Sequence, residues 1–286
     1  MVTIEQLEAL DLLIWLRSGG AAAESCICDE SSISRRVRTA VKTLGLQLNR
    51  EKEFVLVGDS TLLRLQRIVH QHARFLGHRP LRLDSTHYIR DQLTDPALQG
   101  WLLGPCHHRG YGALLSLLEE RVIDAWITSD LQDLPDSKAF AVIPLWEWPG
   151  ELVVNNCHPL AREHGLKRVD LERFPSLVLP EDLYPGLTRI IQAKGFGRGS
   201  RPDRYDQGSW DRQTADAVTI TYGSCLSLDL NSSLTRLDWD LGLTGGEALI
   251  ILSEWLDQPS IAMLLDDLRA RQMLLQRRLP QLVGKL

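Results

Sequence analysis

Arg35, Arg36, Arg38 and Lys42 crowd one short stretch, with Ser31, Ser32 and Ser34 among them and Arg50 just downstream. Guanidinium, ammonium and hydroxyl groups at such density suit phosphate oxygens, and an arginine can hold a guanine edge through two hydrogen bonds. Between residues 30 and 50 only Glu30 opposes these cations. The whole chain carries a net charge of -5. That value does not exclude an anionic partner, because screening confines each charge to about 8–10 Å. Residues 1–80 hold 11 lysines and arginines against 9 acids, so the acidic excess lies in the rest of the chain.

Other reactive residues form no catalytic pattern. The chain has no Gly-x-Ser-x-Gly elbow, no phosphate-binding glycine loop and no His-Glu-x-x-His. Glu119 and Glu120 are neighbours on a helix and diverge. Cys26 and Cys28 would point about 200° apart on a helix, which makes a poor chelate, and buried packing is the better role for Cys26. Cys106, His107 and His108 are adjacent, a weak metal signal. The reading is therefore of a non-enzyme with no cofactor and no metal. Five cysteines at scattered positions give no disulfide framework and fit a reducing cytoplasm. No apolar run reaches the roughly 18–20 residues that span a bilayer, and the acidic start MVTIEQLEALD does not resemble a signal peptide.

Ile4, Leu7, Leu10 and Ile14 recur at helical spacing; Gly19-Gly20 should break that helix, and Ala21-Ala22-Ala23 should start a short second one. Asp29 is a suitable N-cap for a third. At about 100° per residue, Ile33, Val37, Ala40, Val41 and Leu44 share one sector of that helix. Ser31, Arg35, Arg38, Thr39 and Lys42 share the opposite one. A tri-helical core with one cationic face follows, and Gly45 suits its end. LQLNREKEFVLVG then reads as a wing hairpin. Leu62, Leu65, Val69, His72 and Leu76 form a coiled-coil-like seam on a helix from about Asp59 to Arg79. Such a seam predicts pairing with a second copy; packing on the chain's own N-terminal domain is the alternative.

Beyond Pro80 strands and helices alternate, which predicts an α/β domain with mostly parallel sheets. LRLDST, IDAWITSD, ELVVNN, SLVLPED, VTITYGS and ALIILSEW read as strands, and Pro259 to Arg278 as a final amphipathic helix. GFGRGSRPDRYDQGSWDR is the best candidate for a loop.

The chain resembles the LysR-type transcriptional regulators over essentially its whole length. Ile4 to Leu48 matches the family's helix-turn-helix without gaps, with its paired alanines at Ala22-Ala23. The recognition-helix signature falls on Ser34-Arg35-Arg36-Val37-Arg38, and the closing Leu-Gly on Leu44-Gly45. RVIDAWITSD, NNCHPLAREHGLKRVDLERFP and VTITYGSCLSL resemble three family segments further on, in the family's order. The pattern departs at Glu30, where the family has glutamine, and at Glu51 and Glu53 in a short wing where it has arginines.

The resemblance implies an α/β multidomain architecture: a winged helix-turn-helix over 1–58, a linker and dimerisation helix over 59–80, and a two-lobed, periplasmic-binding-protein-like effector domain over 81–286. Lobe I would cover about 81–153 plus 246–286, and lobe II about 154–245. The implied function is sequence-specific regulation of transcription, modulated by a small effector. The alternative is a divergent relative that binds ligands or partners and has weakened DNA binding. Glu30, Ser31, Ser32, Ser34, Arg35, Arg36, Arg38, Lys42 and Arg50 would meet double-stranded DNA. Ser31, Ser32, Arg35 and Arg36 would stand at the base edges and Ser34, Arg38, Lys42 and Arg50 on phosphates. The effector, a polar or anionic metabolite, would meet Ser85, Thr86, Thr128, Ser129, Tyr222 and Gly223 at strand ends, with Arg109 as a candidate cation. A cytoplasmic homodimer follows, possibly assembling as a homotetramer.

Overall fold

A computed structural model describes residues 2–50, 54–86, 89, 94, 96, 98–105, 109–179, 182–197 and 215–285. The chain divides into two compact units that do not follow sequence order. The first comprises Met1–Asp84, Ala97–Cys106 and Leu114–Trp126; the second comprises Ser85–Pro96, His107–Ala113 and Ile127–Leu286. The positions 58 and 80, proposed as domain limits, both lie inside the first unit.

The first unit opens with three helices. Helix α1 (Ile4–Leu16) starts at Thr3, where Thr3 and Gln6 cap each other reciprocally. Leu7, Leu10, Leu12, Trp15 and Leu16 are buried, so more of the helix is covered than one stripe predicts. Helix α2 (Gly19–Ser25) contains Gly19-Gly20 in its first turn, where a break was expected. Ser18 explains the difference: its hydroxyl accepts from the Ala21 amide at 3.2 Å and caps the helix ahead of the glycines. Helix α3 (Glu30–Thr43) buries Ile33, Val37 and Ala40, with Leu44 beyond its end. Gly45 follows at φ +67, the left-handed turn that glycine adopts without strain.

Strands β1 (Gln47–Arg50) and β2 (Phe54–Val57) pair antiparallel with Arg50 opposite Phe54, as expected of a wing. Glu51 and Glu53 lie outside the described residues. Helix α4 (Thr61–Phe75) has two opposed faces. Leu63, Arg67, Gln71 and Arg74 are buried, whereas Leu62, Leu65, Val69 and Leu76 are each more than half exposed. The polar face is thus turned inward and the apolar seam outward, the reverse of an ordinary surface helix.

The inward face is held by charge pairing. Arg67 meets Asp11 and Glu120, and Arg74 grips both carboxylate oxygens of Asp124 at 2.7 and 2.8 Å. Gln71 donates to Asp124 as well. Strand β3 (Leu81–Ser85) runs parallel to β4 (Trp101–Leu103) in this unit, and Asp84 accepts from the Trp15 indole at 2.7 Å.

Helix α5 (Tyr111–Glu119) leads to strand β5 (Ala125–Thr128), which is the strand expected within IDAWITSD. The second unit is organised on two long strands, β6 (Phe140–Asn155) and β8 (Leu234–Leu252), which pair antiparallel throughout. Short helix α6 (Arg168–Leu171), helix α7 (Pro185–Ala193), strand β7 (Thr221–Gly223) and helix α8 (Cys225–Leu230) lie between them in sequence. Helix α9 (Pro259–Arg278) has the predicted limits, and β9 (Val283–Gly284) closes on β6.

Two expectations for this unit are corrected. Parallel pairing does not dominate: β6 pairs antiparallel with β7, β8 and β9. Among its described residues, SLVLPED forms a single parallel bridge, Ser176 with Ile220. Strand β6 is also longer than ELVVNN, reaching back through Pro144 and Pro149. Prolines end a regular strand, but here the register shifts just after each one, and a bulge removes the need for the missing N–H. Leu152, Val154, Leu177, Ile191, Ile220 and Leu237 pack together as a buried core of this unit. Most of the glycine- and arginine-rich stretch, and Cys106-His107-His108, lie outside the described residues.

Candidate nucleic-acid interface and ligand cavity

The cationic face is set by the N-terminus of α3. The Asp29 carboxylate accepts from the Ser31 hydroxyl at 2.5 Å, the Ser32 amide at 2.8 Å and the Ser32 hydroxyl at 2.9 Å. These hydrogen bonds hold its pKa well below the ordinary value of 3.8, with the Ser31 bond the largest cause. Ser32 in turn accepts from Arg35 Nη2 at 3.1 Å, which orients that guanidinium. Both serines proposed for base contacts therefore spend their hydroxyls on the cap, and Ser32 is buried. An Asp followed by Ser at its second and third positions is the sequence signal for this arrangement.

Ser34, Arg35, Arg38 and Lys42 are exposed, Arg36 is half-buried, and Arg50 is exposed on the wing. Ser31, Ser34, Arg35, Arg38 and Lys42 leave the helix within a sector of about 100°. None of Arg35, Arg38 and Lys42 forms an ion pair with a described carboxylate. Arg36 reaches back to the Cys28 sulfur, and Arg50 stands 5.2 Å over the Phe54 ring. The Glu30 carboxylate lies against Gly19 and Gly20, so close that a Cβ on Gly20 would meet it at 2.8 Å. It therefore sits at the positive end of α2. Cys26 is a free thiol pushed up to about 11 by burial.

The second unit contains a cavity of about 300 Å³. Trp148, Val153, Leu179, Leu187, Leu241 and Leu243 give it apolar walls. Ser129, Tyr222 and Gly223, all expected at an effector site, line it. Ser85, Thr86 and Thr128 do not. The Thr86 and Ser129 hydroxyls share a hydrogen bond at 2.9 Å, and Thr128 accepts from the Asp130 amide at 3.2 Å. Arg109 is buried and is not part of the lining.

Sequence reading missed the two carboxylates of this cavity. Asp130 accepts from the amides of Gly186 at 2.9 Å and Leu187 at 3.2 Å, the first turn of α7. Burial nevertheless raises its pKa, with the amide bonds opposing the rise. Gly186 permits the approach: a Cβ there would meet Asp130 Oδ1 at 2.9 Å and Gln132 at 2.7 Å. Glu151 lies between two register shifts of β6, and its Oε1 accepts from Arg236 at 3.0 Å. Its Oε2 is buried with no hydrogen-bond partner among the described residues. Ser224 and Ser227 cap the start of α8 reciprocally. Burial pushes the Cys225 thiol up to about 11, helped by the charge of Glu151, and burial also raises the Tyr222 phenol.

No family model matches the chain, and no curated protein matches it. Solved structures do. A single-residue variant of full-length OxyR from Pseudomonas aeruginosa superposes with a TM-score of 0.58 at 14% identity, covering 94% of this chain and 98% of that one. Full-length CbnR in complex with its target DNA gives 0.53 at 14% identity, covering 94% and 99%. ArgP from Mycobacterium tuberculosis gives 0.53 at 21% identity, covering 95% and 97%. The chain thus has the fold of full-length LysR-type regulators, a helix-turn-helix with a two-lobed α/β domain.

Proposed function

We propose that this chain is a LysR-type transcriptional regulator that grips duplex DNA with α3 and whose grip changes when a small molecule enters the cavity of the second unit. The observation that carries the reading is the cationic face of α3. Arg35, Arg38 and Lys42 stand exposed there, opposite a face buried in the tri-helical core, and pair with no described carboxylate. The similarity in fold to a regulator solved on its target DNA supports it.

In this reading Arg35 and Arg36 reach base edges, with Ser31 and Ser32 fixing their approach, while Ser34, Arg38, Lys42 and Arg50 contact phosphates. Glu30 acts on the helix end beside it. Residues 1–58 serve DNA, 59–80 link and dimerise, and 81–286 sense the effector. Two copies of α4 pair through Leu62, Leu65, Val69, His72 and Leu76, since apolar side chains left in water on a helix favour association. The proposed compartment is the cytoplasm, which suits the scattered thiols; no described helix is long and apolar enough to cross a membrane.

The test is selection of genomic duplex fragments by the full-length protein, followed by a salt titration of the best fragment. A few fragments should be retained over bulk competitor DNA, with affinity falling steeply as salt rises. Retention of no fragment over competitor at low salt would leave the alternative, a ligand-binding protein with weakened DNA binding.

A further inference from the structure

We propose that the ligand of the cavity in the second unit is a small organic cation, an amine or guanidine on an apolar body, held by the free oxygen of Glu151. This rests on the reading of that cavity as the effector site and adds the ligand's charge.

Clefts at strand ends attract anions because helix N-termini present unpaired N–H groups there. Here those groups are taken from within. Asp130 occupies the Gly186 and Leu187 amides at the start of α7, and Ser224 with Ser227 closes the start of α8. An anion would have to displace a carboxylate of the protein itself. It would also find no lysine, arginine or histidine among the described residues of the lining.

A donor meets the opposite situation. Glu151 is 8% exposed, lines the cavity and has one oxygen without a partner among the described residues. A buried carboxylate can accept several hydrogen bonds, and an acceptor left unmet carries a desolvation penalty that a ligand N–H relieves. The Arg236 pairing occupies only Oε1, and that arginine is itself mostly exposed. Asp130 adds a second acid to the lining, and the Trp148 ring offers a cation an aromatic surface. The leucine walls suit an aliphatic or aryl body.

Three matched probes separate charge from shape: 2-phenylethylamine, 2-phenylethanol and phenylacetate, each titrated into the full-length protein by calorimetry. The amine should bind at least tenfold more tightly than the alcohol, and the acid should not bind. Glu151→Gln should weaken the amine by about ten- to hundredfold, the range of a lost charge-assisted hydrogen bond, with its unfolding midpoint checking that it folds. Leu187→Trp, which fills the cavity, should abolish binding. Tighter binding of the acid, or amine binding indifferent to Glu151→Gln, overturns the proposal. Amine binding that obeys both variants yet leaves DNA affinity unchanged upholds the ligand class and sinks the effector reading instead.

Discussion

Arg67 of α4 lies with its Nε 2.9 Å from Asp11 Oδ1 of α1, and each side chain is 1% exposed. Neither side chain finds water, and although Arg67 also reaches Glu120, it supplies the hydrogen bond that Asp11 accepts. Arg67→Met leaves Asp11 a buried carboxylate whose nearest remaining cation, Arg82, is 3.9 Å away. Breaking one side of such a pair costs about 3–5 kcal/mol. Urea unfolding should show that loss, and the double variant Asp11→Leu with Arg67→Met should recover most of it.

The outward face of α4 makes a different demand. Val69 lies in the middle of the exposed apolar seam and far round the helix from Arg67. Val69→Glu should leave the fold intact, since it removes no buried contact, and convert a dimer to a monomer in sedimentation. It should also weaken DNA binding, because one recognition helix binds a half-site alone. An unchanged sedimentation coefficient would remove α4 as the proposed pairing surface.

Arg35 and Lys42 share a helix face but should fail differently. Arg35→Ala is expected to cost about 1–3 kcal/mol on the preferred fragment and little on competitor DNA. Lys42→Ala should weaken both alike and reduce the salt slope by about one. Equal behaviour of the two variants would remove Arg35 from the base edges.

Ile27 stands in the turn before α3 at φ 51 and is 94% exposed. A β-branched residue gains no burial there and strains the left-handed backbone. Ile27→Gly or Ile27→Asn should stabilise the protein by about 1 kcal/mol in chemical denaturation.

Asp29 supplies a pH signature. Its pKa is lowered on folding, so the unfolded chain binds the proton more readily in acid. Its stabilising contribution is therefore present above about pH 3.8 and is lost as the pH falls towards the folded value. Asp29→Asn should be less stable than wild type at pH 7, and the gap should narrow steadily below pH 3.8.

Much of this was legible along the chain. Helix α3, its Asp29 cap, its buried and cationic faces, the wing strands, the seam of α4 and the limits of α9 follow from spacings of one to four residues. Side chains that close in sequence meet through local backbone geometry, so periodicity and capping reveal them without knowledge of the fold. At Gly19-Gly20 the Ser18 cap outweighs the glycines' tendency to break a helix, still a local contest.

What tertiary structure alone decided is where distant charges meet. Nothing near Arg67 in sequence announces Asp11, and nothing near Asp130 announces the amides of Gly186 and Leu187. The bulges around Glu151 turn on the pairing of β6 with a strand that begins about 80 residues later, and strand register sets which face each side chain presents. Serine and threonine at strand ends suggested a polar or anionic ligand. The folded chain sets Asp130 and Glu151 beside Ser129 and Tyr222 in the cavity, because burial and electrostatic pairing are settled by neighbours in space.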